Sequence, residues 1–286
     1  MQNTKKAQVN ITQQKTVATA AQEDKLGDPP RKIRRLFYDI EVSPNIVLAW
    51  RLGNKVSINY DSVLSERAVI CIAWKWQGES KVYSLQWDDK QNDKDMLEQF
   101  SRAIAEADEA IFHNGSRFDL PWVKARSVYH GLKPISPNYS VDTLQLARRN
   151  FYFNSNRLDY LAKFLGVGSK IKTEYNLWKS ILLENDKIAL AKMVKYCKND
   201  VVVLEKVYNK LISFCEVASH AGVIAGHEKW TDPRTGSTDV KLDKTRVTAT
   251  GIVRYQMVSN VDGGYYTINA KAFEAYKEWK EKKKKA

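Results

Sequence analysis

Residues 34–42, RRLFYDIEV, alternate with period two: Leu36, Tyr38, Ile40 and Val42 fall on one side, Phe37, Asp39 and Glu41 on the other. Apolar and aromatic residues predominate, as in a well-buried strand. A short ribbon over 46–52 and 55–60, joined at Gly53-Asn54, is predicted next. Residues 68–76, AVICIAWKW, form a second strong strand, and 81–87 pair with it across Gln77-Gly78-Glu79, giving an antiparallel meander. Residues 93–107 then place Met96, Leu97, Phe100, Ile104 and Ala107 on one helical face. A strand at 109–113 returns beside the first, a helix covers 118–130 with Gly131 as its cap, and 140–148 run from a short strand into a helix. Helices at 157–165, 178–183 and 189–214 complete the series. Three antiparallel strands followed by alternating helices and strands predict an α/β layered fold.

The ends read differently. Residues 1–33 lack apolar periodicity and finish in Asp28-Pro29-Pro30, which predicts a disordered tail or linker ahead of a domain at 34–217. From residue 218 onward Gly, Thr, Asp and Lys become frequent, and strand-like pieces at 239–242, 246–249, 252–257 and 265–268 alternate with turns. This predicts a small β-rich appendage. Its last stretch, 277–285, alternates Lys and Glu before four lysines, the pattern of a solvated helix end.

Charge narrows the function classes. A net charge of +13 suits a polyanionic partner. No apolar run approaches the ~20 residues of a membrane span, and the first residues lack a signal-peptide layout, so no membrane partner and a cytoplasmic location are expected. Cys71, Cys197 and Cys215 each lie in an apolar segment and read as reduced core thiols.

Candidate chemistry begins with Asp39 and Glu41. On one strand face, two residues apart, their charges lie within about 7 Å. Buried like charges raise each other's pKa unless something positive sits between them, and a hard divalent cation with oxygen ligands is the remedy. The alternative is a strand end where both acids face water. Two further stretches bear on this choice. In 110–123, AIFHNGSRFDLPWV, a strand ends at His113-Asn114 and Asp119 sits where a helix begins. In 193–208, MVKYCKNDVVVLEKVY, Tyr196 and Asp200 lie four apart on one side of a helix.

Asp39-x-Glu41, Asn114-x3-Phe118-Asp119 and Tyr196-x3-Asp200, in that order, resemble the three motifs of the DEDD superfamily of 3′→5′ exonucleases, in the tyrosine (DEDDy) branch that includes polymerase proofreading domains and RNase D. The resemblance covers about residues 34–215. It implies a ribonuclease-H-like mixed sheet flanked by helices, and two divalent cations, Mg²⁺ or Mn²⁺. Asp39 would bridge both ions, Glu41 and Asp200 would hold the one that binds the attacking water, and Asp119 would anchor the second. Tyr196 would orient that water, while Asn114, Phe118 and Ile40 are assigned to substrate binding, Phe118 standing between pocket and core. Asp142, on a strand-to-helix transition, reads as a helix cap before a ligand. Trp74, Trp76, Trp122 and Trp178 could offer stacking faces, although most tryptophans read as core.

The implied activity is release of nucleoside 5′-monophosphates from the 3′ end of DNA, single-stranded or 3′-ended, with RNA as the other polymer. A nucleic-acid-binding adaptor with a vestigial site and a ribonuclease-H-like endonuclease are the competing classes. A replication or repair partner would engage the tails. Phage and bacterial relatives can carry a zinc ribbon of cysteine knuckles, and the C-terminal region resembles one without its cysteines. Asp232, Thr235, Ser259 and Asp262 stand at the knuckle positions, a donor set poor for zinc. No zinc is therefore expected, against a minor reading in which His220, His227 and Cys215 hold it, or an unrelated small β-appendage.

Overall fold

The computed structural model describes residues 30–51, 53, 55–135, 137, 139–171, 174–217 and 219–285. Two compact units emerge: Arg34–Cys215, and Glu216–Ala286 together with the N-terminal stretch ending at Ile33. No helix among the described residues is long and apolar enough to cross a membrane.

In the first unit, β1 (Arg35–Val42) lies at the centre of a five-stranded sheet. Strand β2 (Ile46–Val47) and β3 (Val63–Ser65) stand apart as a two-stranded ribbon. In the main sheet, β4 (Val69–Trp76) runs antiparallel to β1, and β5 (Tyr83–Gln86) antiparallel to β4. After helix α1 (Lys94–Ala105), β6 (Glu109–Phe112) runs parallel to β1. Helix α2 (Asp119–Tyr129) leads to β7 (Tyr139–Asp142), parallel to β6. This is the mixed sheet that the resemblance implies. Helices α3 (Thr143–Asn150), α4 (Leu158–Phe164), α5 (Tyr175–Leu183) and α6 (Lys187–Leu211) follow.

The period-two pattern of β1 divides two layers. Leu36, Tyr38 and Ile40 join a core with Ile72, Trp74 and the α1 residues Met96, Leu97, Phe100 and Ile104. Each large apolar side chain buried there stabilises by about 1.5–3 kcal/mol. On the opposite face Phe37 meets Tyr208 of α6 edge-on at 5.3 Å, and Lys75 pairs with Glu205 in a buried ion pair. Trp74 is core and stacks on Tyr83, so it offers no face to a ligand. The expected ribbon partner at 55–60 is replaced by 63–65: Asn59–Ser62 close a turn, with the Ser62 amide on the Asn59 carbonyl, instead of extending.

The second unit is an antiparallel sheet in the order β10-β9-β8, with β8 (Val240–Val247), β9 (Val253–Ser259) and β10 (Tyr265–Ile268). The two pieces expected at 239–242 and 246–249 are one strand with an irregular register between Leu242 and Lys244. Helix α7 (Ala270–Lys285) packs Ala272 and Tyr276 against Trp230, Met257, Tyr266 and Ile268.

The turns proposed as knuckles meet around Arg234. Its Nε lies 3.1 Å from Asp232 Oδ1 and its Nη2 3.3 Å from Asp262 Oδ1, with Arg234 and Asp232 both buried. Thr235 Oγ1 donates to Asp232 Oδ2 at 3.0 Å. A Cβ at Gly264 would fall 1.7 Å from Arg234 Nη1, so a side chain there would push the guanidinium off its carboxylates. Of the residues in the minor zinc reading, His227 Nε2 is bonded to the Arg31 carbonyl, His220 Nδ1 accepts the Val223 amide, and Cys215 Sγ lies on the Leu211 carbonyl. The predicted tail is also corrected at its end. Residues 1–29 lie outside the described residues, but the Arg31 amide donates to the Ala225 carbonyl and Ile33 is buried against Ala221 and Ala225.

Candidate metal centre

Three elements bring the acids together. Asp39 and Glu41 project from the α6 side of β1, and Asp200 projects toward them from α6, held in register by Met193, Cys197, Val201 and Leu204 in the core. Cys197 Sγ also contacts the Asp39 carbonyl at 3.3 Å. Carboxylate oxygens of Asp39, Glu41 and Asp200 lie within 4.8 Å of one another.

Asp119 is not within that 4.8 Å group, but it approaches the same strand from the first turn of α2. Its Oδ1 accepts the Ile40 amide at 3.2 Å, so the strand that carries Asp39 also fixes Asp119. That contact reassigns Ile40: its side chain is buried in the core and its backbone positions a carboxylate, leaving no side-chain face for substrate. The turn before α2 is built on Asp142, which accepts the Asn114 amide (2.8 Å), the Ser116 hydroxyl (2.5 Å) and, as cap of α3, the Leu144 amide (3.0 Å). Asp142 is thus a cap and turn organiser, as read. Gly115 packs so closely on Phe112 that a Cβ would fall 2.4 Å from the ring. His113 bridges the Thr143 hydroxyl and the Asn156 carbonyl, both at 2.9 Å, and burial lowers its pKa to about 4, so it is neutral. Asn114 lines the adjoining cleft, and Phe118 is exposed at the start of α2, away from the core option.

Sequence reading missed Lys170. Its Nζ lies 2.5 Å from Asp200 Oδ2 and 3.3 Å from the Tyr196 hydroxyl. It comes from the α4–α5 connection, where its amide is held by Asp159 Oδ1 at 3.1 Å and the neighbouring Ser169 carbonyl by Asn199 at 3.2 Å. No periodicity marks that loop, and its basic residue was the only signal of a role.

The electrostatics follow from crowding. Burial, then the Asp119 and Glu41 charges, push the Asp39 carboxyl well above the carboxylate range. Burial and Asp200 raise Glu41 to about 8; burial raises Asp119 to about 7 against the pull of its backbone hydrogen bonds. Asp200 is raised by burial in spite of Lys170, and its Oδ1 has no hydrogen-bond partner among the described residues. Burial and Asp200 likewise raise Tyr196, which keeps its proton as a donor. Such an all-oxygen set with an orphaned buried carboxylate oxygen fits a hard divalent cation.

A cleft of about 570 Å³ opens beside Lys170, lined by His113, Asn114, Arg148, Asn156 and Arg157 among others.

A family model agrees with this architecture. The family model described as RNase_H superfamily matches residues 64–212, about half of the chain, beginning after β1 and including Asp119, Tyr196 and Asp200. A PolC-type DNA polymerase III of Ureaplasma parvum serovar 3 is 33% identical over 90 residues, 32% of this chain and 6% of that protein. The chain therefore spans a small fraction of that relative's length. The structure of a family B DNA polymerase from the archaeon Pyrobaculum calidifontis superposes with a TM-score of 0.49 at 18% identity, over 65% of this chain and 25% of that one.

Proposed function

Since the chain belongs to the RNase_H superfamily, we propose that its carboxylate cluster is the active site of a metal-dependent 3′→5′ exonuclease of the DEDDy type. The observation that carries this reading is the convergence of Asp39, Glu41 and Asp200 within 4.8 Å, with Tyr196 one helical turn before Asp200 and Asp119 tied to the same strand. Asp39 would hold two divalent cations, Glu41 and Asp200 the first and Asp119 the second, Mg²⁺ or Mn²⁺ by donor type. What the cations supply when bound is an activated water and neutralisation of the scissile phosphate.

The chain's own groups do the rest. Tyr196 retains its proton, so its hydroxyl donates and orients the water rather than removing a proton from it. The Lys170 ammonium, charged and beside Asp200, offsets negative charge as it builds on the phosphate oxygens. Asn114, set by the Asp142-held turn, faces the cleft that receives the terminal nucleotide. The Ureaplasma relative is a DNA polymerase, which supports DNA over RNA as the polymer.

The test is a pair of labelled oligonucleotides, one with a free and one with a blocked 3′ end, incubated with Mg²⁺. Mononucleotide release from the free end alone is expected. Asp39→Asn should remove it by several orders of magnitude, and Tyr196→Phe should cost roughly 10²-fold. Internal cleavage of the blocked strand would make the site endonucleolytic, and binding without hydrolysis would make the chain an adaptor.

A further inference from the structure

Resting on the exonuclease reading, we propose that the surface of residues 148–164 is a track for the single strand upstream of the cleaved nucleotide. The cleft beside Lys170 continues through Arg148 and Arg157 to the α3–α4 connection. There Phe151 and Phe153, both half-buried, make ring contacts with more exposed neighbours. Phe151 and Phe153 stack at 5.1 Å, and Phe153 meets Phe164 edge-on at 5.3 Å. Phe214 approaches Phe151 at 6.4 Å. Tyr152 is 109% exposed, Phe214 76% and Phe164 61%. Burial does not account for Tyr152, Phe164 and Phe214, so the patch presents faces to something outside the chain.

Charge selects the occupant. Over 148–164 the chain carries Arg148, Arg149, Arg157 and Lys163 against a single acid, Asp159. That acid is already taken up by Lys163 Nζ at 2.6 Å and the Lys170 amide at 3.1 Å. Open aromatic faces among arginines that pair with no acid among the described residues match a strand with exposed bases and a phosphate backbone. A duplex keeps its bases stacked inside and offers no face to Tyr152. An apolar peptide would leave the arginines without counter-charges.

Equilibrium binding tests this on the full chain carrying Asp39→Asn, so that substrate survives. The probes are labelled oligothymidylate of about twelve nucleotides, within the span such sites cover, and a dinucleotide that reaches only the cleft. Adding Tyr152→Ala and Arg149→Ala should weaken the long probe about tenfold or more and leave the dinucleotide nearly unchanged. The salt slope should fall by about 0.7 for each phosphate that is no longer neutralised. Tyr152→Phe, which keeps the face, should bind the long probe as the parent does. Unchanged affinity for the long probe, equal losses on both probes, or failure of Tyr152→Phe to preserve affinity overturns the track. The two readings fail separately: binding without hydrolysis by the unsubstituted chain sinks the nuclease, whereas hydrolysis with wild-type KM in the Tyr152→Ala, Arg149→Ala variant sinks the track alone.

Discussion

With its Nζ 2.5 Å from Asp200 Oδ2, Lys170 competes with any incoming cation for the same carboxylate. At an effective dielectric near 20, a unit charge about 4 Å away is worth roughly 4 kcal/mol, so under the proposed function its removal should alter both metal binding and catalysis. Lys170→Met should lower the half-saturating Mg²⁺ concentration several-fold while reducing turnover. Opposite signs in a metal titration identify a positioning charge; parallel losses of metal affinity and turnover would reduce Lys170 to a structural support. Arg234 is the other residue whose charge is built in. Deleting it leaves the buried Asp232 carboxylate uncompensated, a change that costs about 3–5 kcal/mol for a broken buried pair. Denaturant unfolding of Arg234→Ala should show that loss. Lysine lacks the planar fork that spans two carboxylates, so Arg234→Lys should recover little of it.

Asp93 ties elements together. It precedes α1, is fully buried, and accepts the Val69 amide of β4 (2.9 Å), Arg126 of α2 (2.8 and 2.9 Å) and His130 (2.6 Å). Burial works to raise its pKa, but Arg126, the Val69 amide and His130 outweigh it and hold the carboxyl below its ordinary value. The unfolded chain therefore binds this proton more readily. The stabilisation is complete above about pH 4, the ordinary Asp value, and is lost as pH falls through the depressed folded value. Asp93→Asn should melt lower at pH 7, with a shallower further decline between about pH 5 and pH 3 than the parent. An equally steep decline would place the acid sensitivity elsewhere. How far such elements could be read in advance followed their patterning. The alternation of β1 and the apolar stripe of α6 stated both their faces and the acids on them. Strand β8 looked like two pieces because Lys241–Val247 is exposed and lacks an apolar rhythm. Asp39, Glu41, Asp119, Tyr196 and Asp200 were legible as candidates through motif spacing on regular elements. Lys170 was not, since it lies in a loop and meets Tyr196 and Asp200 only through the packing of α4, α5 and α6. The aromatic patch at 151–164 was hidden for a related reason: its rings look like core residues until their exposure is known.

For the whole molecule, part of the net charge of +13 is concentrated at one helix end. The last turns of α7 place Lys282, Lys283, Lys284 and Lys285 in solvent. Replacing these four with glutamine should weaken binding to long single strands and flatten log affinity against log salt by about 0.7 per phosphate left unneutralised, with hydrolysis of saturating short substrates unaltered. An unchanged slope would assign that helix end to a protein contact or to plain solvation. The second unit carries one more consequence, through Arg234. A fold clamped by a captured ion depends on the supply of that ion, since its stability rises with the logarithm of the free concentration. A guanidinium between Asp232 and Asp262 is delivered with the chain during synthesis, at a fixed stoichiometry. It cannot be diluted away, stripped by a chelator or lost when thiols oxidise. Starvation for trace metals would leave this clamp intact.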